Sequence, residues 1–299
     1  MTPLPRLTAA RVPLVEEIEV LDEHGATRRI SIPAERPLTV FVDRRELVTL
    51  MTLGAAPEWL VLGYLRNQRL VAGPEQIESI TVDWDVNAAA VKTRAGIADF
   101  EARTAKRVVT TGCGQGTVFG DLMGDLDALR IPPVDDPRAR LSQATLYRLL
   151  EAVRRQESTY KSAGSVHGCA LFRQHELLLF IEDVGRHNAI DSIAGWMWLN
   201  GIDGADKIFY TTGRLTSEMV IKSAQMGVPI IVSRSGITQM GHQLATRLGL
   251  ALFGRAVNRH FIGYSGLARF DSQPEEAQAS VRGAGTTGTV RPEPVEGSG

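Results

Sequence analysis

The segment KIFYTTGRLTSEMVIKSAQMGVPIIVS, residues 207–233, decides the fold class of this chain. It opens with KIFYTT, a short apolar and β-branched run that predicts a strand. TSEMVIKSAQMG predicts a helix, because Met219 and Met226 stand seven residues apart on one face and Gly227 ends the pattern. VPIIVS predicts a second strand. A strand, a helix and a strand in this order need a crossover connection, which favours a mostly parallel sheet packed between helices.

The residues on both sides of this segment continue the alternation. Before it, HGCALF and ELLLFIE predict a hairpin, and NAIDSIAGWMWL predicts a helix with Asn188 as a candidate N-cap. After it, ITQMGHQLATRLG predicts a helix and LALFGRA a strand. Further upstream, LSQATLYRLLEAVRRQ predicts a helix that Ser142 caps. We therefore predict an α/β domain over residues 141–271, with its sheet between two layers of helices.

The first half of the chain is richer in strand patterns. Residues 14–50 alternate apolar and polar side chains in runs such as VEEIEV and PLTVFVDRRELVTLM, which predict hairpin strands. One helix, APEWLVLGYLRNQRLV, interrupts them before IESITVDWD and AAAVKTR predict two more strands. We predict a smaller, β-rich α+β domain over residues 14–140. Residues 272–299 are rich in Gly, Pro, Glu and Thr and predict a disordered tail.

Bulk composition excludes several classes of function. The net charge of the 299 residues is −1, which gives no global attraction to nucleic acid or to an anionic membrane. No apolar run approaches the roughly 20 residues of a membrane helix, and the N-terminus lacks the apolar core of a signal peptide. The expected location is the cytoplasm. With two cysteines, Cys113 and Cys169, and no Cys or His residues at zinc spacing, we expect neither a disulfide scaffold nor a structural metal.

The segment VVTTGCGQGTVFG, residues 108–120, places Cys113 among four glycines. Ordering glycine costs backbone entropy, so this composition predicts a mobile loop that presents a thiol and not a packed core segment. Lys106 and Arg107 are the nearest cations in sequence and would favour the reactive thiolate. Cys169, within a predicted strand, is expected to be a small buried hydrophobic residue.

Polar loops follow the predicted strands of the second half. In an α/β sheet, ligands bind outside the carboxyl ends of the strands, and helix starts and arginines bind phosphate. The loops therefore predict a pocket for a phosphorylated or nucleotide-like ligand. For any single loop, helix capping or local ion pairing is an equally good explanation. The candidate residues are Asp183, Arg186, His187, Arg214, Ser217, Arg255, Asn258, Arg259 and His260.

The chain resembles the FdhD family of sulfurtransferases, which formate dehydrogenase needs for activity. The resemblance covers about residues 14–266 and rests on the cysteine loop, on RPLTVFVDRRELVTLMTLGAAPEWLVLGYL, and on EDVGRHNAID followed by TTGRLTSEMV. It implies a C-terminal domain similar in fold to cytidine deaminases. It also implies a cytoplasmic protein that tends to form dimers.

The resemblance implies a chemistry as well. Cys113 matches the cysteine that takes sulfur as a persulfide from a cysteine desulfurase. The implied acceptor is the molybdenum cofactor, bis-molybdopterin guanine dinucleotide, destined for the catalytic subunit of formate dehydrogenase. The implied cofactor-binding stretch near the C-terminus matches Arg255, Ala256, Val257, Asn258, Arg259 and His260.

One departure from the family pattern leaves alternatives open. Many members carry C-G-x-C-G in the loop, whereas Gly116 stands here in place of the second cysteine. The chain could still carry a persulfide on Cys113 and pass it on by direct attack of an acceptor. The alternative is a chaperone that binds the cofactor without sulfur transfer. A third reading is a nucleotide hydrolase or deaminase that uses Glu182 or Asp183 as general base.

Overall fold

The computed structural model of the chain describes residues 3–101, 126 and 129–273. Its first half contains a five-stranded sheet in the order β1-β6-β7-β4-β5 and a separate hairpin of β2 and β3. The predicted strands and the predicted helix are all present. Their bounds are β1 (Arg6–Leu7), β2 (Val15–Leu21), β3 (Thr27–Pro33), β4 (Arg36–Val42), β5 (Arg45–Thr52), α1 (Pro57–Asn67), β6 (Ile77–Asp83) and β7 (Ala88–Thr93).

The second half contains a six-stranded sheet in the order β10-β9-β11-β12-β13-β14. Two short strands, β8 (Leu141–Ser142) and β15 (Phe270–Asp271), pair beside it. The strands of the large sheet are β9 (His167–Arg173), β10 (Glu176–Asp183), β11 (Lys207–Thr211), β12 (Ile230–Ser233), β13 (Ala251–Val257) and β14 (His260–Ser265). The helices are α2 (Gln143–Arg155), α3 (Thr159–Ala163), α4 (Arg186–Leu199), α5 (Ser217–Gln225) and α6 (Gln239–Leu248).

The prediction of a mostly parallel sheet is wrong. Only the pairs β11–β12 and β12–β13 are parallel, because β9–β10 and β13–β14 are tight hairpins whose strands must run antiparallel. Gln174 and Asn258 take positive φ angles of 53° and 56° in the two turns. Strands β10, β11, β12 and β13 nevertheless all run in one direction, because β9 lies between β10 and β11 and is antiparallel to both. Their carboxyl ends share one edge, as the loop pattern predicted.

The three-layer α/β arrangement is confirmed. On one face of the large sheet, Leu146 and Leu149 of α2 pack with Phe172 and Tyr210. On the other face, α4, α5 and α6 cover the residues that alternate with these, among them Cys169 and Phe209. Within the described part of the chain, no helix is long and apolar enough to cross a membrane.

Helix α1 joins the two halves. Its residues Leu60, Val61 and Leu65 pack into the core of the first sheet. On its other side it lies against α4, where Gly63 and Gly195 let the two backbones approach. The predicted division at residue 140 falls next to the start of β8 and stays a prediction.

Two helix starts were predicted from capping residues. Ser142 accepts a hydrogen bond from the Thr145 N–H and caps α2, as predicted. The prediction for Asn188 is wrong: α4 begins earlier, after Gly185, and Asn188 lies in its first turn. Its amide instead donates to the Asp183 carboxylate at 2.8 Å and to the Met51 carbonyl at 2.7 Å. A tertiary hydrogen-bond network thus outweighs the local capping preference of asparagine.

Candidate functional site

A cavity of about 1120 Å³ opens at the shared carboxyl edge of the large sheet, between the strand ends and helices α2 and α3. Five strands, β9 to β13, contribute residues from their ends or from the loops next to them. Sites for drug-sized ligands are typically about 300–1,000 Å³, so the cavity has room for a nucleotide-sized ligand. Its strand-end and loop residues are Gly168, Glu182, Thr212, Arg234, Ala256, Val257, Asn258 and Arg259.

The amphipathic pattern of α2 places its polar face on this cavity. Leu146, Leu149 and Leu150 are buried against the sheet, so Arg148 and Arg155 point to the other side and line the cavity wall. This basic face was missed in the sequence. A polar helix face usually contacts only solvent, and no sequence pattern within α2 indicates that α3 lies opposite this face.

The cavity lining is strongly basic. It holds six Arg and Lys side chains and two carboxylates. Glu151 pairs with Arg154 and Arg155 at 2.7 Å each, and the hydrogen bond from Arg154 lowers the pKa of this carboxyl to about 2. Excess positive charge near aromatic rings suits phosphate groups and flat heterocycles. The six basic side chains are Arg148, Arg154, Arg155, Lys161, Arg234 and Arg259.

Two arginine–tyrosine pairs stand at the cavity wall. The Arg234 guanidinium lies 5.9 Å from the ring centroid of Tyr160, and Arg259 lies at the same distance from the ring of Tyr147. Arg234 follows β12, and Arg259 lies in the β13–β14 turn. Each arginine is thus held over a ring while its N–H donors remain available to a ligand.

Glu182 anchors the α3 side of the cavity. Its carboxylate accepts hydrogen bonds from the backbone N–H of Thr159 at 2.5 Å and of Tyr160 at 3.1 Å. Both are N–H groups of the first turn of α3, where a carboxylate stabilises a helix. Glu182 therefore positions Tyr160, and its two oxygens are already engaged, which argues against a role as general base.

Asp183 connects the two halves of the molecule. It is buried and accepts four hydrogen bonds, including one from Thr52 Oγ1 at 2.5 Å and one from the Leu53 N–H at 3.1 Å. The other two donors are the Gly185 N–H and the Asn188 amide. Burial raises the pKa of Asp183 to about 6 despite these donors. Asp183 does not line the cavity.

A buried ionic network lies behind the cavity edge. The Lys222 ammonium lies 2.9 Å from Asp191 Oδ2 and 3.4 Å from Glu218 Oε1. Glu218 Oε2 is 3.0 Å from His187 Nδ1. Burial opposes the charge on Lys222, but the two carboxylates outweigh it and raise the pKa of Lys222. The network ties the first two turns of α4 to the first two turns of α5.

Comparisons with known proteins match this architecture. Residues 33–271 match the model of the FdhD/NarQ family. The chain belongs to the FdhD/NarQ family. The resemblance that the sequence motifs indicated is therefore confirmed, and it covers most of the chain.

Relatives and a solved structure of this family are similar to the chain over most of its length. It is 30% identical over 240 residues to the sulfur carrier protein FdhD of Listeria monocytogenes, covering 80% of this chain and 91% of the relative. It is 30% identical over 231 residues to that of Bacillus subtilis, covering 77% and 87%. A crystal structure from Desulfotalea psychrophila, described as a formate dehydrogenase accessory protein, superposes with a TM-score of 0.66 at 25% identity, covering 88% of this chain and 99% of that one.

The residues predicted for cofactor binding, from the polar loops and from the FdhD/NarQ resemblance, fall into two groups. Ala256, Val257, Asn258 and Arg259 line the cavity. Arg255 and His260 flank them on β13 and β14, exposed but outside the lining. The second group comes from the β10–α4 connection, the β11–α5 connection and the helix starts that follow them, away from the cavity at the same edge of the large sheet. It comprises Asp183, Arg186, His187, Arg214 and Ser217, none of which lines the cavity.

The two cysteines of this family member differ in what the structure describes. Cys113 lies outside the described residues, so its predicted persulfide role stays a prediction. Cys169 is fully buried, as predicted, and its thiol is 3.3 Å from Thr211 Oγ1. Burial raises the pKa of Cys169 to about 12, which keeps it a thiol at neutral pH.

Proposed function

We propose that this chain is a sulfur carrier that serves formate dehydrogenase, with Cys113 as the residue that holds the sulfur. Membership of the FdhD/NarQ family supports this, as do relatives named sulfur carrier proteins. The sulfur donor is a cysteine desulfurase. The acceptor is the molybdenum cofactor, bis-molybdopterin guanine dinucleotide, as substrate. We further propose that the protein works in the cytoplasm as a homodimer.

The basic cavity at the sheet edge is the observation that carries this proposal. A guanine dinucleotide brings phosphates and flat bases. The cavity offers Arg234 and Arg259 beside tyrosine rings, with more basic side chains along α2. Phosphates pair with arginine through bidentate hydrogen bonds, and bases stack on aromatic rings. The nucleotide part of the substrate would bind here and leave its metal end for the sulfur carrier residue.

Loading of Cys113 needs no external oxidant. The Cys113 thiolate attacks the terminal sulfur of the desulfurase persulfide, a sulfur–sulfur bond forms on Cys113, and the desulfurase cysteine leaves as a thiolate. Attack by an acceptor on the new terminal sulfur returns Cys113 as a thiolate. Cys169 cannot substitute as an exposed partner thiol, since it is fully buried within the sheet.

The test is formate dehydrogenase activity in cells that lack their own carrier and receive this chain. We expect Cys113→Ala to abolish the activity and Cys169→Ala to retain it when the protein accumulates to normal levels. Full activity with Cys113→Ala would overturn the proposal.

A second candidate function is a cofactor chaperone without sulfur transfer. The absence of a second cysteine in the loop, where Gly116 stands, favours it. It predicts that Arg234→Ala abolishes cellular activity while Cys113→Ser leaves it intact. The sulfur-carrier proposal instead predicts that both substitutions abolish it, so one pair of variants separates the two functions.

A further inference from the structure

The cavity at the sheet edge has an exposed, charged rim and a buried floor. All six of its basic side chains are exposed to solvent. The floor is formed mainly by residues of the sheet, which are buried and mostly apolar or small. Such a division favours the charged part of a ligand at the rim and its flat, less polar part at the floor. The buried lining residues are Leu150, Gly168, Glu182, Tyr210 and Ala256.

Tyr210 provides the floor with a polar group that has no partner in the fold. It lies on β11, its ring belongs to the core between the sheet and α2, and it is 4% exposed. Its hydroxyl makes no hydrogen bond to any residue that the structure describes. Glu182, the other polar side chain of the floor, already accepts two hydrogen bonds from α3. Buried polar groups almost always have a partner, so the Tyr210 hydroxyl is available to a ligand.

The strands next to Tyr210 give the floor a flat, apolar surface. Ala170 of β9 pairs with Phe180 of β10 on one side and with Tyr210 on the other, so the two aromatic side chains flank a small one. Paired residues of adjacent strands point to the same face of a sheet. Gly168 of β9 has no side chain, and a Cβ there would collide with the Phe180 ring. An aromatic ring beside small side chains suits a flat heterocycle.

Arg234 lies at the rim next to Tyr210. Val232 of β12 pairs with Tyr210, and Arg234 follows two residues later, beyond the end of the strand. Burial raises the pKa of Tyr210 to about 12, although the positive charge of Arg234 opposes this rise. The hydroxyl therefore stays neutral at physiological pH and can both donate and accept a hydrogen bond. A phosphate-binding side chain and a neutral polar group thus lie close together, one at the rim and one at the floor.

We propose that Tyr210 positions the base of the bound nucleotide, with a polar atom of the heterocycle hydrogen-bonded to the Tyr210 hydroxyl at the floor and the phosphates facing Arg234 and Arg259 at the rim. This inference rests on the proposed function, under which a nucleotide binds in the cavity, and it gives that binding a direction. The hydroxyl suits the neutral base better than a phosphate, because the rim offers phosphate several cationic donors and the floor offers it one neutral donor.

The test is calorimetric titration of the full chain with guanosine diphosphate and with inorganic pyrophosphate, which has the phosphates but no base. Tyr210→Phe removes only the hydroxyl and keeps the buried ring. We expect it to weaken guanosine diphosphate binding about threefold to tenfold, as loss of one neutral hydrogen bond does, and to leave pyrophosphate binding unchanged. Arg234→Ala should instead weaken the binding of both ligands.

Tyr147→Phe is the matched control. Tyr147 also lines the cavity, but its hydroxyl already accepts a hydrogen bond from the Gln143 amide at 2.8 Å. We expect this variant to bind both ligands as wild type does. Urea unfolding of Tyr210→Phe shows whether the variant has kept its fold.

Two results would overturn the role of Tyr210. One is equal affinity of wild type and Tyr210→Phe for guanosine diphosphate. The other is an equal loss of affinity for guanosine diphosphate and pyrophosphate in Tyr210→Phe, because a merely structural residue would affect both ligands. A failure of the proposed function looks different: wild type would then not bind guanosine diphosphate, and the cavity would have no part in holding the nucleotide.

Discussion

Gly63 in α1 lies against the backbone of Asp191 in α4, so close that a Cβ at position 63 would collide with the Asp191 carbonyl oxygen. Gly195, one turn further along α4, makes the reciprocal contact with the Trp59 carbonyl. These glycines allow the first half of the chain to pack on the helix whose first turn carries Arg186 and His187. Side-chain bonds reinforce the contact, with the Asn67 amide donating to Asp191 Oδ1 at 2.6 Å.

Gly63→Ala should therefore destabilise the protein strongly. The clash is with backbone on a neighbouring helix, which cannot rotate away as a side chain can. We expect a loss of about 3 kcal/mol or more in the free energy of unfolding, the upper range for overpacking. Urea unfolding followed by circular dichroism measures it. Gly236→Ala is the matched control, since a Cβ there meets nothing within 4 Å. Equal stability of the two variants would contradict the close packing of α1 on α4.

Asp183 should give the stability of the protein a distinct pH dependence. Its pKa is about 6 in the fold against an ordinary value of 3.8, so between these values the folded state binds more protons than the unfolded state. Stability from this group therefore falls as pH rises from about 4 to 6, by about 3 kcal/mol. Asp183→Asn removes the titration.

The measurement is urea unfolding of both proteins from pH 4 to 7. Asp183→Asn also loses hydrogen bonds, so the informative quantity is the stability of wild type minus that of the variant, which should decrease as pH rises to 6. A difference that stays constant or increases over this range would show that the Asp183 carboxyl does not carry a raised pKa.

Glu182 should affect ligand binding through α3 and not through chemistry. Glu182→Ala removes the acceptor for the Thr159 and Tyr160 N–H groups, which frees Tyr160 from its place near Arg234. We expect affinity for guanosine diphosphate to fall about tenfold, whereas Glu182→Gln, which keeps one acceptor oxygen, should retain most of it. Calorimetric titration measures both. If Glu182→Gln were as defective as Glu182→Ala, the carboxylate would have a role beyond positioning α3.

Arg234 and Arg259 should each contribute to nucleotide affinity. Removal of one charge-assisted arginine–phosphate contact costs about 1.5–3 kcal/mol, so Arg234→Ala and Arg259→Ala should each weaken guanosine diphosphate binding by about tenfold or more. Arg173→Ala serves as control, because this exposed arginine pairs with Asp206 outside the cavity lining. Unchanged affinity in both cavity variants would place the nucleotide elsewhere.

Much of the fold could be predicted from the sequence, because its elements carry strong local signals. The apolar runs of β11 and β12, the helical stripe of α2 and the cap at Ser142 all depend on neighbours in sequence. The gathering of polar loops at one edge was also predictable, since strand direction alone determines it. Strand polarity across the whole sheet was not, because β9 lies between β10 and β11 and runs antiparallel to both, and the tight turn at Asn258 reverses the edge strand β14.

The site could be predicted only in part. Arg259 and its neighbours line the cavity as the resemblance suggested, but Arg148 and Arg155 of α2 were missed. Their helical face becomes a cavity wall only because of the position of α3. Glu182, 23 residues after Thr159 in sequence, holds α3 there by accepting a hydrogen bond from the Thr159 N–H. Likewise, the assignment of Asn188 as an N-cap failed because its partner, Asp183, belongs to the preceding strand end and binds the first half of the chain as well.

The most direct test of the central claim is intact-protein mass spectrometry after incubation with a cysteine desulfurase and cysteine. Wild type, Cys113→Ser and Cys169→Ser are compared, with the desulfurase shown to be active on another acceptor. We predict a gain of one sulfur atom, removable by a thiol reductant, on wild type and on Cys169→Ser but not on Cys113→Ser. No gain on wild type, or an equal gain on Cys113→Ser, would contradict the assignment of Cys113 as a one-cysteine sulfur carrier.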